Sequence, residues 1–204
     1  MAGLLAAVAA PAAAEPVRIV ALGTSLTAGY GVAQDEGFVP QLEAALRARG
    51  LDVEIENAGV SGDTSAGGLA RLDWSIDDTV DAVIVELGSN DALRAFEPQQ
   101  TRGNLTAILD ALTARELPVL LAGMLAPPNL GADYGEEFAA IYPDLAERYD
   151  VLFYPFFLEG VAAEPALNQP DGIHPNAEGV AVIVERITPY AVQLVEHARR
   201  SPAS

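Results

Sequence analysis

The fold of this chain is decided by the segment VRIVAL, residues 17–22, which ends at Gly23. Its apolar and β-branched residues run almost without interruption, whereas a strand with one solvated face would alternate apolar and polar residues. Two further segments have the same character, AVIVEL at residues 82–87 and PVLLAGM at residues 118–124. The pattern predicts strands covered on both faces, as in a parallel sheet packed between helices.

Two weaker strands and several helices complete the pattern. Residues 53–55 alternate apolar and acidic side chains, as in a less buried strand, and residues 151–153 form the last apolar run. Between the strands, apolar residues recur three or four positions apart, which predicts helices. These residues are Leu42 and Leu46; Leu105, Ile108, Leu109 and Leu112; Phe138, Ile141 and Leu145; and Val180, Ile183, Val184 and Ile187. A shorter helix is predicted to start at Asp63 or Thr64.

The alternation of strands and helices predicts one three-layer α/β domain with a mostly parallel sheet. The last helix, which follows Pro175, is predicted to kink or break near Pro189, because proline lacks the backbone N–H that a helix needs. Ligands of such folds bind outside the carboxyl ends of the strands. The segments that directly follow the strands are therefore the candidates for chemistry.

The composition excludes several kinds of site. The 204 residues include neither lysine nor cysteine, and only two histidines, His174 and His197. The chain therefore has no P-loop lysine, no Schiff-base lysine, no disulfide and no thiol nucleophile. Two histidines are few for a catalytic zinc, so no metal site is predicted. The net charge of −18 repels phosphate backbones, and nucleic acid is not an expected partner.

The first fourteen residues, MAGLLAAVAAPAAA, are apolar, rich in alanine and end in an A-x-A-like stretch. They are similar to the hydrophobic core and cleavage site of a secretory signal peptide, although no basic residue precedes them. An alanine-rich tail is the alternative interpretation. The segment is too short to span a bilayer. We therefore predict a signal peptide at residues 1–14, a folded domain at residues 15–204, no stable membrane anchor, and a periplasmic or secreted bacterial protein.

Three polar or small residues follow the predicted strands. Ser25 lies where the first strand gives way to a helix, although an ordinary capping serine would occupy the same place. Gly62 lies in a predicted turn, and because glycine has no side chain to block it, its backbone N–H could face an anion. Asn90 follows the third strand, and its amide could donate a hydrogen bond to a developing oxyanion.

DGIHPN, residues 171–176, is the most informative segment. It contains His174, with Asp171 three residues upstream, Gly172 between them to allow a tight turn, and Pro175 to start the last helix. A histidine that accepts a serine proton needs a carboxylate on its other ring nitrogen, and this spacing supplies one locally. A capping turn with an incidental histidine is the alternative. His197 lies among charged residues near the C-terminus and is interpreted as solvated.

In this order, GTSLTAGYG, SGDT, GSND and DGIHPN resemble the sequence blocks of the SGNH (GDSL-type) hydrolases. The four residues that name the family map onto Ser25, Gly62, Asn90 and His174. The stretches SGDTSAGGLARL, VELGSNDALRAFEPQQT, FAAIYPDLAERYDV and PFFLEGV resemble one subgroup, the thioesterase I/lysophospholipase L1/arylesterase type. The resemblance extends from about residue 17 to residue 194. It therefore covers nearly the whole chain after the N-terminal segment.

The resemblance implies a flavodoxin-like α/β/α fold with five parallel strands, and hydrolysis of carboxylic esters and thioesters without a metal or cofactor. It assigns Ser25 as nucleophile, His174 as general base and Asp171 as the residue that orients the histidine. The oxyanion hole is expected from the backbone N–H groups of Ser25 and Gly62 and the side-chain amide of Asn90. Expected substrates are small molecules, namely aryl esters, acyl thioesters and lysophospholipids.

Two residues depart from the family pattern. Thr24 stands where the first block usually has aspartate, and Ser89 stands where the third block often has a second glycine. The first change removes a carboxylate next to the nucleophile, which is expected to alter the local hydrogen bonding, the pH profile or the rate. The added β-carbon of Ser89 is expected to narrow the site or shift its loop. Neither change predicts an inactive enzyme.

Two other functions remain open at this point. A carbohydrate O-deacetylase of the same family would use the same four residues. A non-catalytic, flavodoxin-like binding protein would use the loop at residues 24–27 to hold a phosphate group. That second function would leave the Asp171 and His174 pair without a task.

Overall fold

The computed structural model describes residues 15–200. The predicted signal peptide at residues 1–14 lies outside the described residues. Within residues 15–200, five parallel strands form one sheet in the order β2-β1-β3-β4-β5. The strands are β1 (Val17–Gly23), β2 (Val53–Gly59), β3 (Ala82–Glu86), β4 (Val119–Ala122) and β5 (Leu152–Tyr154). The five-stranded parallel sheet expected from the sequence is confirmed.

Residues 15–200 also form eight α-helices and three short 3₁₀ helices, which lie between the strands or follow the last one. The α-helices are α1 (Ser25–Ala28), α2 (Phe38–Arg47), α3 (Ser65–Ala70), α4 (Leu72–Ser75), α5 (Ser89–Leu93), α6 (Pro98–Ala114), α7 (Ala132–Tyr149) and α8 (Ala177–Ala198). The 3₁₀ helices are Gln34–Glu36, Pro128–Leu130 and Pro165–Leu167. Helices α2 and α8 pack together, while α6 packs against α3 and α7. The two groups form the outer layers of the α/β/α sandwich.

Burial follows the position of each strand in the sheet. Every residue of β3 and β4, which lie inside the sheet, is buried. In β2, at the edge, Val53 and Ile55 are buried while Glu54 and Glu56 are exposed. The continuous apolar runs thus mark strands covered by helices on both faces, and the alternating run marks the edge. Strand β2 extends four residues beyond the alternating segment, to Gly59, because it pairs with β1 along its whole length.

The sequence predicts a kink or a break of the last helix near Pro189, and the structure shows no break there. Helix α8 does not break near Pro189 but continues from Ala177 to Ala198. Ile187 and Ala191, on either side of the proline, are fully buried in the core. The packing of this apolar face stabilises the helix more than the missing hydrogen bond destabilises it. Among residues 15–200, no helix has the length and apolar character needed to cross a membrane.

The start of α8 also differs from the prediction. Pro175 does not begin the helix but forms an isolated antiparallel bridge with Asn168. Asn176 is the capping residue, and its side-chain oxygen accepts a hydrogen bond of 3.0 Å from the backbone N–H of Gly179. Pro175 is therefore extended, and a residue in an extended bridge cannot also form the first turn of a helix. The segment that carries His174 is therefore tied down just before the helix begins.

Strand register sets where the site can form. Gly23 pairs with Gly59 on one side and with Glu86 on the other, so the three residues lie level at the carboxyl edge of the sheet. A β-carbon on Gly59 would meet the backbone of Ala28 and lie 2.9 Å from the carbonyl oxygen of Thr24. Glycine at this position therefore allows α1 to cross close to the end of β2.

We expect Gly59→Ala to lower the free energy of unfolding by about 1–3 kcal/mol, because backbone atoms cannot move away as a flexible side chain can. Gly103→Ala is the matched control, since a β-carbon there has nothing within 4 Å and the residue lies inside α6. That change should stabilise the protein by about 0.5–1 kcal/mol. Urea denaturation of both variants measures the difference. Equal stability of the two variants would contradict the close packing of α1 on β2.

Candidate active site

Ser25 is the first residue of α1 and follows β1 after a single intervening residue, Thr24. The side chain of Thr24 caps the helix by accepting a hydrogen bond of 3.3 Å from the backbone N–H of Leu26. Ser25 is only 8 % exposed. The turn thus places Ser25 at the carboxyl edge of the sheet, just beyond the end of β1 and between the loops that follow β2 and β3.

The structure brings Ser25, His174 and Asp171 together in one hydrogen-bonded row. His174 Nε2 lies 2.9 Å from Ser25 Oγ, although the two residues are 149 positions apart in the sequence. His174 Nδ1 lies 2.7 Å from Asp171 Oδ2. In this geometry a proton on Nδ1 faces the carboxylate, and Nε2 is left to accept the serine proton.

Asp171 holds its own turn as well as the imidazole. Its Oδ1 accepts hydrogen bonds from the backbone N–H groups of Ile173, at 2.9 Å, and His174, at 3.0 Å. The His174 backbone N–H, the His174 ring and the Ile173 N–H together lower the pKa of the Asp171 carboxyl to about 2. The group is therefore ionised at neutral pH and stabilises positive charge on the histidine.

Gln169 is a site-positioning residue that the sequence did not reveal. Its side-chain amide donates to the carbonyl oxygens of Tyr30, at 2.7 Å, and Pro175, at 2.9 Å. Its backbone N–H donates to the His174 carbonyl at 2.8 Å. The histidine loop is thereby fastened to the loop that follows α1. The Tyr30 ring centroid lies 4.6 Å from that of His174.

Gly62 lies in a turn in which the Asp63 N–H donates to the Val60 carbonyl at 3.1 Å. Its φ angle of +81° is in the left-handed region, which glycine adopts at little cost. Arg94 Nη2 donates to the Gly62 carbonyl at 2.8 Å. Both the C=O and the N–H of the peptide group between Gly62 and Asp63 are therefore hydrogen-bonded. The backbone around the predicted oxyanion donor is therefore fixed.

Asn90 lies next to this turn, as expected from the sequence. Its Nδ2 donates to the Asp63 carbonyl at 2.8 Å, which uses one of its two N–H groups. The neighbouring residue, Asp91, is buried and accepts from the backbone N–H and the hydroxyl of Ser65 at 2.8 and 2.5 Å. The loops after β2 and β3 are therefore joined by hydrogen bonds at both Asn90 and Asp91. Helix α5, which begins at Ser89, was not expected from the sequence.

Glu86, the last residue of β3, supplies a carboxylate to the loop that carries Ser25. It is fully buried, and its Oε2 accepts hydrogen bonds from the backbone N–H of Thr24 at 3.0 Å and from the Thr27 hydroxyl at 2.9 Å. The Thr24 hydroxyl also donates to Glu86, at 3.0 Å to Oε2. Although Thr24 replaces the usual aspartate, the loop still contacts a carboxylate, because the Glu86 side chain reaches it from the neighbouring strand.

Sequence patterning could not assign Glu86, since an acidic residue at the end of a strand usually faces solvent. The pairing of β1 with β3 would have revealed it, because Glu86 lies opposite Gly23 and glycine leaves room for the carboxylate. A β-carbon on Gly23 would lie 2.8 Å from Glu86 Oε2. Burial raises the pKa of the Glu86 carboxyl to about 7, although the hydrogen bonds from Thr24 and Thr27 oppose that shift.

Within the described part of the chain, no three His, Cys, Asp or Glu side chains are grouped to hold a metal ion. His197, the second histidine, lies in the last turn of α8. The chemistry that the arrangement itself provides is the activation of a serine hydroxyl by an oriented imidazole.

Comparison with known proteins agrees with this geometry. A model of the GDSL-like lipase/acylhydrolase family matches residues 21–182. The chain belongs to this family. It is a hydrolase, and the flavodoxin-like binding protein considered as an alternative is not supported. The SGNH resemblance and the fold that it implied are both confirmed.

Other GDSL-like hydrolases resemble the chain over most of its length. It is 39 % identical to an arylesterase of Vibrio mimicus over 181 residues, 88 % of this chain and 89 % of the relative. It is 39 % identical to thioesterase 1/protease 1/lysophospholipase L1 of Escherichia coli K12 over 186 residues, 91 % of this chain and 88 % of the relative. The crystal structure of AlinE4, an SGNH-hydrolase family esterase, matches with a TM-score of 0.75 and 48 % identity, covering 89 % of this chain and 98 % of AlinE4.

The raised pKa of Glu86 predicts a pH-dependent stability. Between about pH 4.5 and 7 the folded protein keeps a proton on Glu86 that the unfolded chain releases, so stability falls as the pH rises through this window. The free energy of unfolding is expected to fall by about 3 kcal/mol across this window, because the pKa of Glu86 rises from 4.5 to about 7 on folding. We expect Glu86→Gln to remove this part of the pH dependence.

Urea denaturation at pH 4.5 and pH 8 measures the effect as a difference between variant and wild type. Glu56→Gln, at an exposed position of β2, is the matched control and should keep the wild-type pH dependence. A Glu86→Gln variant with the same pH dependence as the wild type would show that folding does not raise the pKa of Glu86.

Proposed function

We propose that this chain is a serine esterase that hydrolyses carboxylic esters and thioesters through an acyl-enzyme intermediate. The observation that carries the proposal is the contact of 2.9 Å between His174 Nε2 and Ser25 Oγ, with Asp171 on the other ring nitrogen. The family of the chain and the names of its relatives, which include an arylesterase and a thioesterase/lysophospholipase, support this reaction class. They favour it over sugar deacetylation.

In the proposed reaction, Ser25 Oγ attacks the carbonyl carbon while His174 Nε2 takes the hydroxyl proton. Asp171, ionised because of its low pKa, stabilises the imidazolium that forms. Histidine then gives the proton to the leaving alcohol or thiol, and the acyl group remains on Ser25. Water attacks the acyl-enzyme by the same steps and releases the carboxylic acid.

The tetrahedral oxyanion is assigned three donors: the backbone N–H of Ser25, the backbone N–H of Gly62 and the side-chain amide of Asn90. The N–H of Ser25 lies in the first turn of α1, where backbone donors have no intrahelical acceptor. Asn90 Nδ2 carries two N–H groups, and its hydrogen bond to the Asp63 carbonyl uses one of them, so the other can donate to the oxyanion. Donors fixed in advance act mainly on the transition state, where the charge develops.

The surface around the site supports apolar acyl or aryl substrates. Seven large apolar side chains among the described residues are exposed. Five of them lie on loops between the strands or on the histidine loop, and a sixth, Leu93, is the last residue of α5. These six are Tyr30, Val60, Leu93, Phe96, Leu125 and Ile173. Two of them lie at the proposed base, since Ile173 directly precedes His174 and the Tyr30 ring centroid is 4.6 Å from that of His174. Exposed apolar side chains beside a site are typical of a binding surface. We infer small-molecule aryl esters, acyl thioesters and lysophospholipids as the substrate classes.

We propose a periplasmic or secreted location for the enzyme, with residues 1–14 as signal peptide and residues 15–204 as the hydrolase domain. The support is the apolar, alanine-rich composition of this segment before Glu15. N-terminal sequencing of protein recovered from a bacterial periplasmic fraction tests the cleavage site. A mature chain that still begins at Met1 would contradict the proposal.

The nucleophile and base are tested with p-nitrophenyl esters from acetate to palmitate. We expect turnover by the wild type, with medium or long acyl chains preferred to acetate because the surrounding loops are apolar. Ser25→Ala and His174→Ala should each lower kcat by about 10⁴-fold or more, and the two losses should not add. His197→Ala is the matched control and should keep wild-type activity. Wild-type turnover that survives Ser25→Ala would assign the nucleophile to another residue.

The oxyanion assignment is tested by Asn90→Ala. Loss of one preorganised donor should lower kcat by about 10²–10³-fold while KM changes little, because the bond strengthens only in the transition state. Steady-state kinetics on one p-nitrophenyl ester give both constants. An unchanged kcat would remove Asn90 from the oxyanion hole.

A further inference from the structure

Arg71 is a buried arginine at the junction of α3 and α4, only 7 % exposed. Its guanidinium donates from Nε to Asp63 Oδ2 at 2.7 Å and from Nη2 to the Gly23 carbonyl at 2.9 Å. A third contact joins Nη1 to the Ser75 hydroxyl at 3.4 Å. A buried charge is costly unless it is paired and hydrogen-bonded, and these acceptors satisfy that requirement.

The two closest acceptors lie beside two of the three proposed oxyanion donors, the backbone N–H groups of Ser25 and Gly62. Gly23 ends β1 two residues before Ser25, and its carbonyl also accepts from the Val60 N–H at 3.0 Å. Asp63 directly follows Gly62, and its carbonyl accepts from the Asn90 amide at 2.8 Å. One guanidinium therefore spans the gap between the nucleophile loop and the loop after β2.

The chain leaves room for this arrangement. A β-carbon on Gly67 would overlap the Asp63 carboxylate, so glycine allows Asp63 to fold back over the start of α3. The Asp63 side chain is 15 % exposed and the Arg71 side chain 9 %. The planar guanidinium presents its N–H groups in a rigid fork, which fixes the separation of two acceptors in a way that a lysine ammonium cannot.

We propose that Arg71 is a positioning residue of the active site. By holding the Gly23 carbonyl and the Asp63 carboxylate on one rigid group, it sets the distance between the N–H of Ser25 and the donors of Gly62 and Asn90. This inference rests on the proposed function, in which those donors form the oxyanion hole. A shift of about 1 Å in catalytic geometry lowers a rate by about 10²-fold.

Arg115 provides a matched control with similar contacts away from the site. Its guanidinium donates to the carbonyls of Ile76, at 2.7 Å, and Asp77, at 2.6 Å, which precede β3. It therefore fastens backbone at the amino edge of the sheet, opposite the edge that carries Ser25. An arginine that only stabilises the fold should behave like Arg115.

The experiment compares Arg71→Lys, Arg71→Gln and Arg115→Gln on p-nitrophenyl butyrate, with thermal unfolding measured for each variant. Lysine keeps a charge for Asp63 but lacks the fork. We expect both Arg71 variants to lower kcat by about 10²-fold with KM within about twofold of the wild type. Arg115→Gln should keep both constants even where its melting temperature falls.

Coupling to Asn90 gives a second readout. If Arg71 acts through the oxyanion donors, Arg71→Lys should cost less in the Asn90→Ala background than in the wild type, because the two changes damage the same function. Full multiplication of the two losses would overturn the proposal. An unchanged kcat in folded Arg71→Lys would also overturn it, as would loss of folding in both Arg71 variants, since Arg71 would then act on stability alone.

The wild-type assay separates this proposal from the function on which it rests. Turnover that depends on Ser25, together with unchanged kcat in the Arg71 variants, would contradict the role of Arg71 only. Absence of wild-type turnover on every ester of the series would contradict the proposed function and the positioning role together.

Discussion

Parallel backbone pairing between β1 and its two neighbours is the constraint on which the site depends. It brings Gly23, Gly59 and Glu86 level at one edge of the sheet. The two glycines allow the chain and the Glu86 carboxylate to approach at distances that side chains would prevent. Since all the strands are parallel, every loop that could carry chemistry emerges at this same edge.

The pKa values of two carboxyl groups near Ser25 are shifted in opposite directions by their surroundings. Asp171 accepts three hydrogen bonds from a partly exposed turn, and its pKa falls to about 2. Glu86 is fully buried, and its pKa rises to about 7. The first group remains charged and supports the histidine, whereas the second can hold a proton beneath the loop that carries Ser25. Environment, rather than residue type, separates the two roles.

Several local features followed from the sequence because their causes are local. Continuous apolar runs identified β1, β3 and β4, and the alternating run identified the edge strand β2. The turn between Asp171 and His174 was predicted from a spacing of three residues. One local expectation was wrong, since Pro175 pairs with Asn168 and does not start α8. Helix α8 continues through Pro189 because both sides of that proline are buried.

The sequence by itself determined the three-layer fold, the family and the residues proposed for catalysis, because strand periodicity and ordered motifs are properties of the chain alone. Tertiary structure decided which distant groups meet. Ser25 contacts His174 across 149 residues, and Glu86 reaches Thr24 across 62. The same holds for Arg71, which joins Gly23 to Asp63. Such contacts depend on strand register and on the space left by glycine, and neither can be read from the spacing of residues along the chain.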